Sequence, residues 1–218
     1  MFLKRLMSNG LTSTRRKAEG LAAMFMQHLA RLPYQIASVQ YNLYDSHDIS
    51  RLHNNPDISY ESRRAAIIMQ FTFPGTPSIY YGDETSLDGH ITTVEGCRYP
   101  MKWDSDDQDQ DCLQLHNTLA HLKREEEALR SGGFKILYAL DYVISYARFT
   151  DEKAFIAVCS QEQNAVCVKI PVVLVGIYGN PGIREIFGRS AACHMEDGMM
   201  VVELKAQESL LFEVKMQG

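Results

Sequence analysis

The sequence predicts an α/β piece followed by a small all-β domain, and three observations predict it. Apolar positions recur every three or four residues in several stretches before Leu129, with short apolar runs between them. After Gly133 the chain becomes short runs of β-branched and aromatic residues separated by turn signals. The switch coincides with Gly132-Gly133, so the boundary is expected between residues 1–132 and 133–218.

From Arg15 to Arg31, the positions Ala18, Leu21, Ala22, Phe25, Met26 and Leu29 give the period of an amphipathic helix, which Pro33 stops. Ile36 to Leu43 has near-alternate Ile36, Val39, Tyr41 and Leu43 and reads as a strand running into the polar loop Asp45-Ser46-His47-Asp48. Ser59 is placed to cap a second helix through Arg63 to Phe71, which Pro74 and Gly75 break. Pro77 to Tyr81 reads as a short buried strand closed by Gly82, and a third helix is expected from about Asp111 to Leu129. Strand alternating with helix is the pattern of a parallel layer.

Beyond Gly133 the runs Phe134–Tyr138, Tyr142–Phe149, Ala154–Cys159, Ala165–Ile170, Arg184–Phe187, Met199–Leu204 and Ser209–Val214 predict an antiparallel sandwich. Thr150-Asp151-Glu152-Lys153, Gln163-Asn164 and Glu196-Asp197-Gly198 supply turns. No internal repeat or low-complexity tract stands out. The first piece is short for its pattern: it offers two strand-helix units, whereas a closed (β/α)8 barrel needs at least ~200 residues.

Composition narrows the function classes. The 218 residues are 45% hydrophobic and 22% charged, which suits a globular chain with a real core. With 22 Lys and Arg against 27 Asp and Glu, the net charge of -5 disfavours nucleic acid as a partner. No apolar run approaches the ~18 residues of a membrane span, and the charges of Met1 to Gly10 do not suit a signal peptide, so a soluble cytoplasmic protein without a membrane partner is expected. Five cysteines (Cys97, Cys112, Cys159, Cys167, Cys193) without a C-x-x-C pair argue for reduced, mostly buried thiols, with Cys159 and Cys167 on neighbouring strands.

The loop Asp45 to Arg51 stands where a parallel strand gives way to its helix, the end at which such folds build active sites. His47 has donors for sugar hydroxyls, Asp48 has acceptors for two of them, and Arg51 offsets local negative charge. On spacing alone, a solvated polar loop with an Asx turn is the simpler reading. Asp45, His47, Asp48, His53 and Asp57 offer metal-ligand chemistry, but H-E-x-x-H spacing is lacking, and His47 and Asp48 would face opposite ways on an extended strand. Asp104, Asp106, Asp107, Asp109 and Asp111 lack the features of a calcium loop and suit the N-terminus of the next helix. Gly82-Asp83-Glu84 places two carboxylates at the exit of the second strand. Trp103 suits stacking on a sugar ring, although a packed core position is the more ordinary place for a tryptophan.

Asn42-Leu43-Tyr44-Asp45-Ser46-His47-Asp48-Ile49-Ser50-Arg51, followed by Gly75 to Glu84, resembles the last two strand ends of the catalytic barrel in the alpha-amylase family of glycoside hydrolases. The segment is most similar to the neopullulanase and cyclomaltodextrinase branch. Arg98-Tyr99-Pro100-Met101-Lys102-Trp103 and Leu119 to Gly133 fit the same order, the latter leading into the family's all-β domain C. The resemblance implies the C-terminal portion of a TIM (β/α)8 barrel, its last two strand-helix units, followed by an antiparallel β-sandwich.

It also implies a retaining mechanism on α-1,4-linked glucans or cyclomaltodextrins; no cofactor and no metal are expected. In that family Asp48 would stabilise the transition state by gripping hydroxyls of the cleaved sugar, while His47 and Arg98 would bind substrate. Val94 and Glu95 stand where the branch has Asp and Pro before that Arg, and Ile49 replaces a polar residue. No segment upstream of Ile36 matches the nucleophilic Asp or the acid/base Glu, so the chain alone is expected to be inactive. Its partner would be the missing N-terminal part of the barrel or a second copy. The alternatives are a non-catalytic carbohydrate-binding or scaffold protein and the remnant of a disrupted gene.

Overall fold

Proline and its neighbours set the turn that ends the first described helix. In the computed structural model, which describes residues 17–189 and 192–216, helix α1 (Ala18–Ala30) ends before Pro33. The expected start at Arg15 lies outside the described residues. Ile36 to Leu43 departs from the expected single strand: α2 (Tyr34–Ala37) is a helical turn capped by Pro33, and strand β1 is confined to Tyr41–Asn42. The carbonyl of Pro33 accepts from the amides of Ile36 and Ala37, and these local bonds prevail where no strand ladder competes.

Helix α3 (Tyr60–Thr72) follows with Ser59 as its N-cap, as expected, and β2 (Thr76–Pro77) lies parallel to β1 with Tyr41 opposite Thr76. The expected strand to Tyr81 is cut short because pairing stops once the Ser78 amide has bonded the Asn42 carbonyl. Among the described residues this two-stranded sheet closes no barrel. Asn42 binds it to the helix: its buried amide donates to the carbonyls of Gln70, Phe73 and Pro74. Gln70 answers by donating to the carbonyls of Asn42 and Ser78.

Gly75 makes the return to β2 possible. Its φ is +120°, and a Cβ there would sit 2.6 Å from the Gln40 carbonyl oxygen. Gly75→Ala is therefore expected to cost about 1–3 kcal/mol through strain alone, read as a lower urea midpoint at unchanged m-value. An unchanged midpoint would contradict it.

Helix α4 (Gln110–Glu125) is capped by Asp109, whose carboxylate accepts from the Cys112 amide, and Asp111 stands in its first turn. Asp109 and Asp111 thus favour the helix start as the sequence suggests, whereas Asp106 and Asp107 lie in a separate 3-10 turn, Ser105–Asp107, that Asp104 precedes. The expected third helix breaks at Glu126, leaving the short α5 (Glu127–Arg130) before the strands begin.

Strands β3 (Gly133–Leu140), β4 (Val143–Phe149), β5 (Lys153–Ser160), β6 (Val166–Ile170), β7 (Ile183–Glu185), β8 (Cys193–Glu196), β9 (Met199–Leu204) and β10 (Ser209–Lys215) form two antiparallel sheets. The first has the order β3-β4-β5-β10-β7 and the second β6-β9-β8. Strand β8 is absent from the sequence expectation because Cys-His-Met-Glu carries no β-branched signal. Cys159 and Cys167 sit in different sheets, which corrects their expected adjacency, and Cys167 is exposed.

Alternation along β5 supplies two cores at once. Ala154, Ile156 and Val158 face β6 and β9, joining Val168, Ile170, Met200 and Val202. Phe155, Ala157 and Cys159 face the helices, joining Phe25, Ile67, Ile68, Leu115 and Leu119. At that second contact the rings of Phe25 and Phe73 stand 4.7 Å apart, and Phe134 lies 5.3 Å from both Phe73 and Tyr146. Buried Arg148 donates to the carbonyls of Thr72, Gly132 and Gly133, tying the end of α3 to the start of β3.

Candidate active site

The loops leaving β1 and β2 lie side by side because the two strands are parallel and in register. The first starts at buried Tyr44, whose hydroxyl meets His116 Nε2 at 3.4 Å, and continues through buried Asp45, whose Oδ2 accepts from the Leu52 amide at 2.7 Å. Asp45 thus fastens the far end of the loop to its beginning, and the residues between them bulge outward.

That bulge carries His47 and Asp48. The segment is a turn in which the Asp48 amide donates to Ser46 Oγ, so His47 and Asp48 point the same way, contrary to the expectation for an extended strand. His47 Nε2 is 3.2 Å from Asp48 Oδ2, and Arg98 Nη2 is 3.5 Å from Asp48 Oδ1. The three site residues expected from the sequence therefore meet in one cluster. Their side chains are 55%, 72% and 57% exposed, so these contacts contribute little to stability and the carboxylate stays open to hydroxyl donors. Among the described residues no group of three His, Cys, Asp or Glu is arranged to hold a metal.

Arg51 offsets local negative charge as expected, and it does so from the interior: it is fully buried, and Nη1 donates to Asp83 Oδ1 at 2.6 Å and Nη2 to the Tyr81 carbonyl at 2.7 Å. Its guanidinium lies 4.6 Å from the Tyr80 ring centre and 5.2 Å from that of Tyr81. The Arg51 amide also donates to the Gly89 carbonyl, Ile91 N to Ser50 Oγ, and Cys97 Sγ to the Ile49 carbonyl. Each bond ties the Asp48 loop to the loop that presents Arg98. Sequence reasoning missed this pairing, since nothing local marks Arg51 and Asp83, 32 positions apart, as partners.

Asp83 is accordingly buried and structural. Desolvation and the nearby Asp45 carboxylate push its carboxyl up, against the pull of Arg51. Trp103 is 84% exposed, which overturns the packed-core reading.

His53, beside Asp88, is depressed to about 4 by burial, with Arg63 adding to it. It folds neutral, whereas in the unfolded chain it takes up a proton near ~6.5. Its contribution is thus complete above ~6.5 and declines as pH falls toward 4. His116, also lowered by burial, acts in the same direction. His53→Gln is expected to flatten the loss of stability between those pH values. A slope identical to that of the parent chain would refute the assignment.

Residues 5–133 match the family model described as "Alpha amylase, catalytic domain", more than half of the chain. The chain belongs to the alpha-amylase family. This family member is 38% identical over 148 residues to a cyclomaltodextrinase of Bacillus sp, an alignment covering 67% of this chain and 26% of the relative. It is 34% identical over 142 residues to an intracellular maltogenic amylase of Bacillus subtilis, covering 64% and 24%. A solved cyclomaltodextrinase superposes with a TM-score of 0.80 at 28% identity, over 97% of this chain and 35% of that one. The alpha-amylase family chain therefore spans about a quarter of these curated relatives and about a third of that structure.

Proposed function

We propose that this chain supplies the last two strand-helix units and the β-sandwich of a retaining α-glucan hydrolase acting on cyclomaltodextrins or α-1,4-linked maltooligosaccharides. The observation that carries the reading is the convergence of His47, Asp48 and Arg98 beyond the C-terminal end of β1. Asp48 accepts hydrogen bonds from neighbouring hydroxyls of the sugar being cleaved. Those bonds strengthen as positive charge develops at the anomeric carbon, so they lower the barrier more than they tighten the ground state. His47 and Arg98 hold the Asp48 carboxylate from either side and bind the same sugar.

In this reading the attacking carboxylate and the proton donor come from polypeptide that completes the parallel sheet. Tyr34, Ile36, Val39 and Tyr41 support such a partner, since they expose an apolar flank beside β1. Among the described residues no helix is long and apolar enough to cross a membrane. A cytoplasmic location, without nucleic acid or cofactor, goes with the proposal.

The test is reducing-sugar release from cyclodextrin, pullulan and starch. The chain alone is expected to give none, and joining it to the preceding part of a cyclomaltodextrinase is expected to restore release. Turnover by the chain alone that disappears in Asp48→Ala would overturn the division of labour. Failure of the joined protein, folded and bound to cyclodextrin, would favour a non-catalytic carbohydrate-binding role.

A further inference from the structure

Two consecutive tyrosines just beyond β2 reach the main chain on either side of Arg98. The Tyr80 hydroxyl donates to the Cys97 carbonyl at 2.9 Å, and the Tyr81 hydroxyl donates to the Tyr99 carbonyl at 2.7 Å. The Arg98 amide between them donates to the Glu95 carbonyl. Because peptide units are planar, bonds on both flanks leave the dihedrals at Arg98 little freedom.

The tyrosines are themselves held. The Tyr80 carbonyl accepts from the Asp83 amide, and the Tyr81 carbonyl accepts from Arg51 Nη2. Their rings meet edge to face at 4.8 Å, and the buried Arg51 guanidinium lies against both. Cys97, fully buried next to Arg98, donates its thiol to the carbonyl of Ile49, the residue after Asp48. The exit of β2 thus holds the segment that carries Arg98, and Cys97 fastens that segment beside Asp48.

Arg98 depends on such support because its own side chain has little. It is exposed, and Nη2 is 3.5 Å from Asp48 Oδ1. An exposed arginine keeps most of its rotamer freedom, and a solvated pair is too weak to remove it. Where the guanidinium dwells is therefore set by where the backbone places its Cα. Phenylalanine would cover Arg51 equally well, so the two hydroxyls add hydrogen bonds to the Arg98 segment and little packing.

We propose that Tyr80 and Tyr81 are positioning residues for Arg98, holding its backbone so that the guanidinium stands beside Asp48 and meets the same sugar. Their hold on Arg98 is independent of the hydrolase reading, and its consequence for sugar binding rests on that reading. The test compares the full chain with Tyr80→Phe, Tyr81→Phe and the pair, all of which keep the rings beside Arg51. In amide nitrogen relaxation by NMR, the order parameter of Arg98 is expected to fall below about 0.6, the flexible range, in the pair. The Leu52 and Asp83 amides should keep their parent values. An Arg98 amide as ordered in the pair as in the parent would overturn the proposal.

Affinity for β-cyclodextrin gives the second readout. The pair is expected to weaken it about three- to tenfold, the scale of one neutral hydrogen bond. Arg98→Gln should weaken it too, and adding the pair to Arg98→Gln should cost nothing further, because the hydroxyls act through Arg98. An equal loss in both backgrounds would overturn the positioning role. An affinity indifferent to Arg98→Gln, with the Arg98 amide loosened in the pair, would uphold the hold on Arg98 and remove the sugar contact that the hydrolase reading gives it.

Discussion

Arg51→Met is expected to destabilise the chain by about 3–5 kcal/mol, the range found when one partner of a buried ion pair is removed. The side chain is fully buried, and its loss strips Asp83 Oδ1 of its donor, the Tyr81 carbonyl of its partner, and Tyr80 and Tyr81 of the cation between them. Asp83 Oδ2 is already buried without a hydrogen bond, so the carboxylate has nothing else to turn to.

It can escape only by taking up a proton, toward which burial and Asp45 already push it. That fixes the sign of the pH dependence. A carboxyl raised in the folded state binds more protons than in the unfolded chain, so its folded form loses stability as pH rises. Removing Arg51 raises Asp83 further, and the deficit of the variant should grow from pH 6 to pH 9 in urea titrations. Arg51→Met combined with Asp83→Leu should recover much of the loss. A small, pH-independent effect of the single change, or no recovery in the pair, would refute the account.

The second large effect concerns Asp48. Once the chain is joined to polypeptide supplying the nucleophile and proton donor, Asp48→Asn is expected to lower turnover by roughly 10²–10³-fold, the scale found on removing one group that stabilises transition-state charge. Asparagine keeps nearly the same shape, and Asp48 is 72% exposed with long, solvated contacts to His47 and Arg98, so the urea midpoint should barely move. Arg98→Gln should act mainly on KM, because its 3.5 Å contact lies at the side of the carboxylate. Turnover within a few-fold of the parent in Asp48→Asn would remove Asp48 from the mechanism.

The legibility of the site follows from the range of the interactions behind it. His47 and Asp48 are adjacent, and their motif together with Arg98 could be recognised from short stretches of sequence. That their side chains converge could not, because it depends on a turn held by Asp45 and Ser46, where alternation along a strand argues for opposite faces. The partner and burial of Arg51 were illegible for a related reason. Its charge-offsetting role was expected, but Asp83, Tyr80 and Tyr81, which bury it, arrive from a different strand exit. Trp103 shows the converse, a large aromatic left in water.

By itself, the sequence determined the helices capped by Ser59 and Asp109, the change to strands at Gly133, and the family motif, all of which rest on contacts within a few residues. Tertiary structure alone decided that β1 and β2 would be so short, since a strand extends only as far as a neighbour offers hydrogen bonds. It also decided that β4 and β5 would be covered on both faces, by helices on one side and β6 and β9 on the other. An apolar run such as Ala154 to Cys159 states that it must leave water, but not what will cover it, because burial is non-directional and many surfaces satisfy it equally.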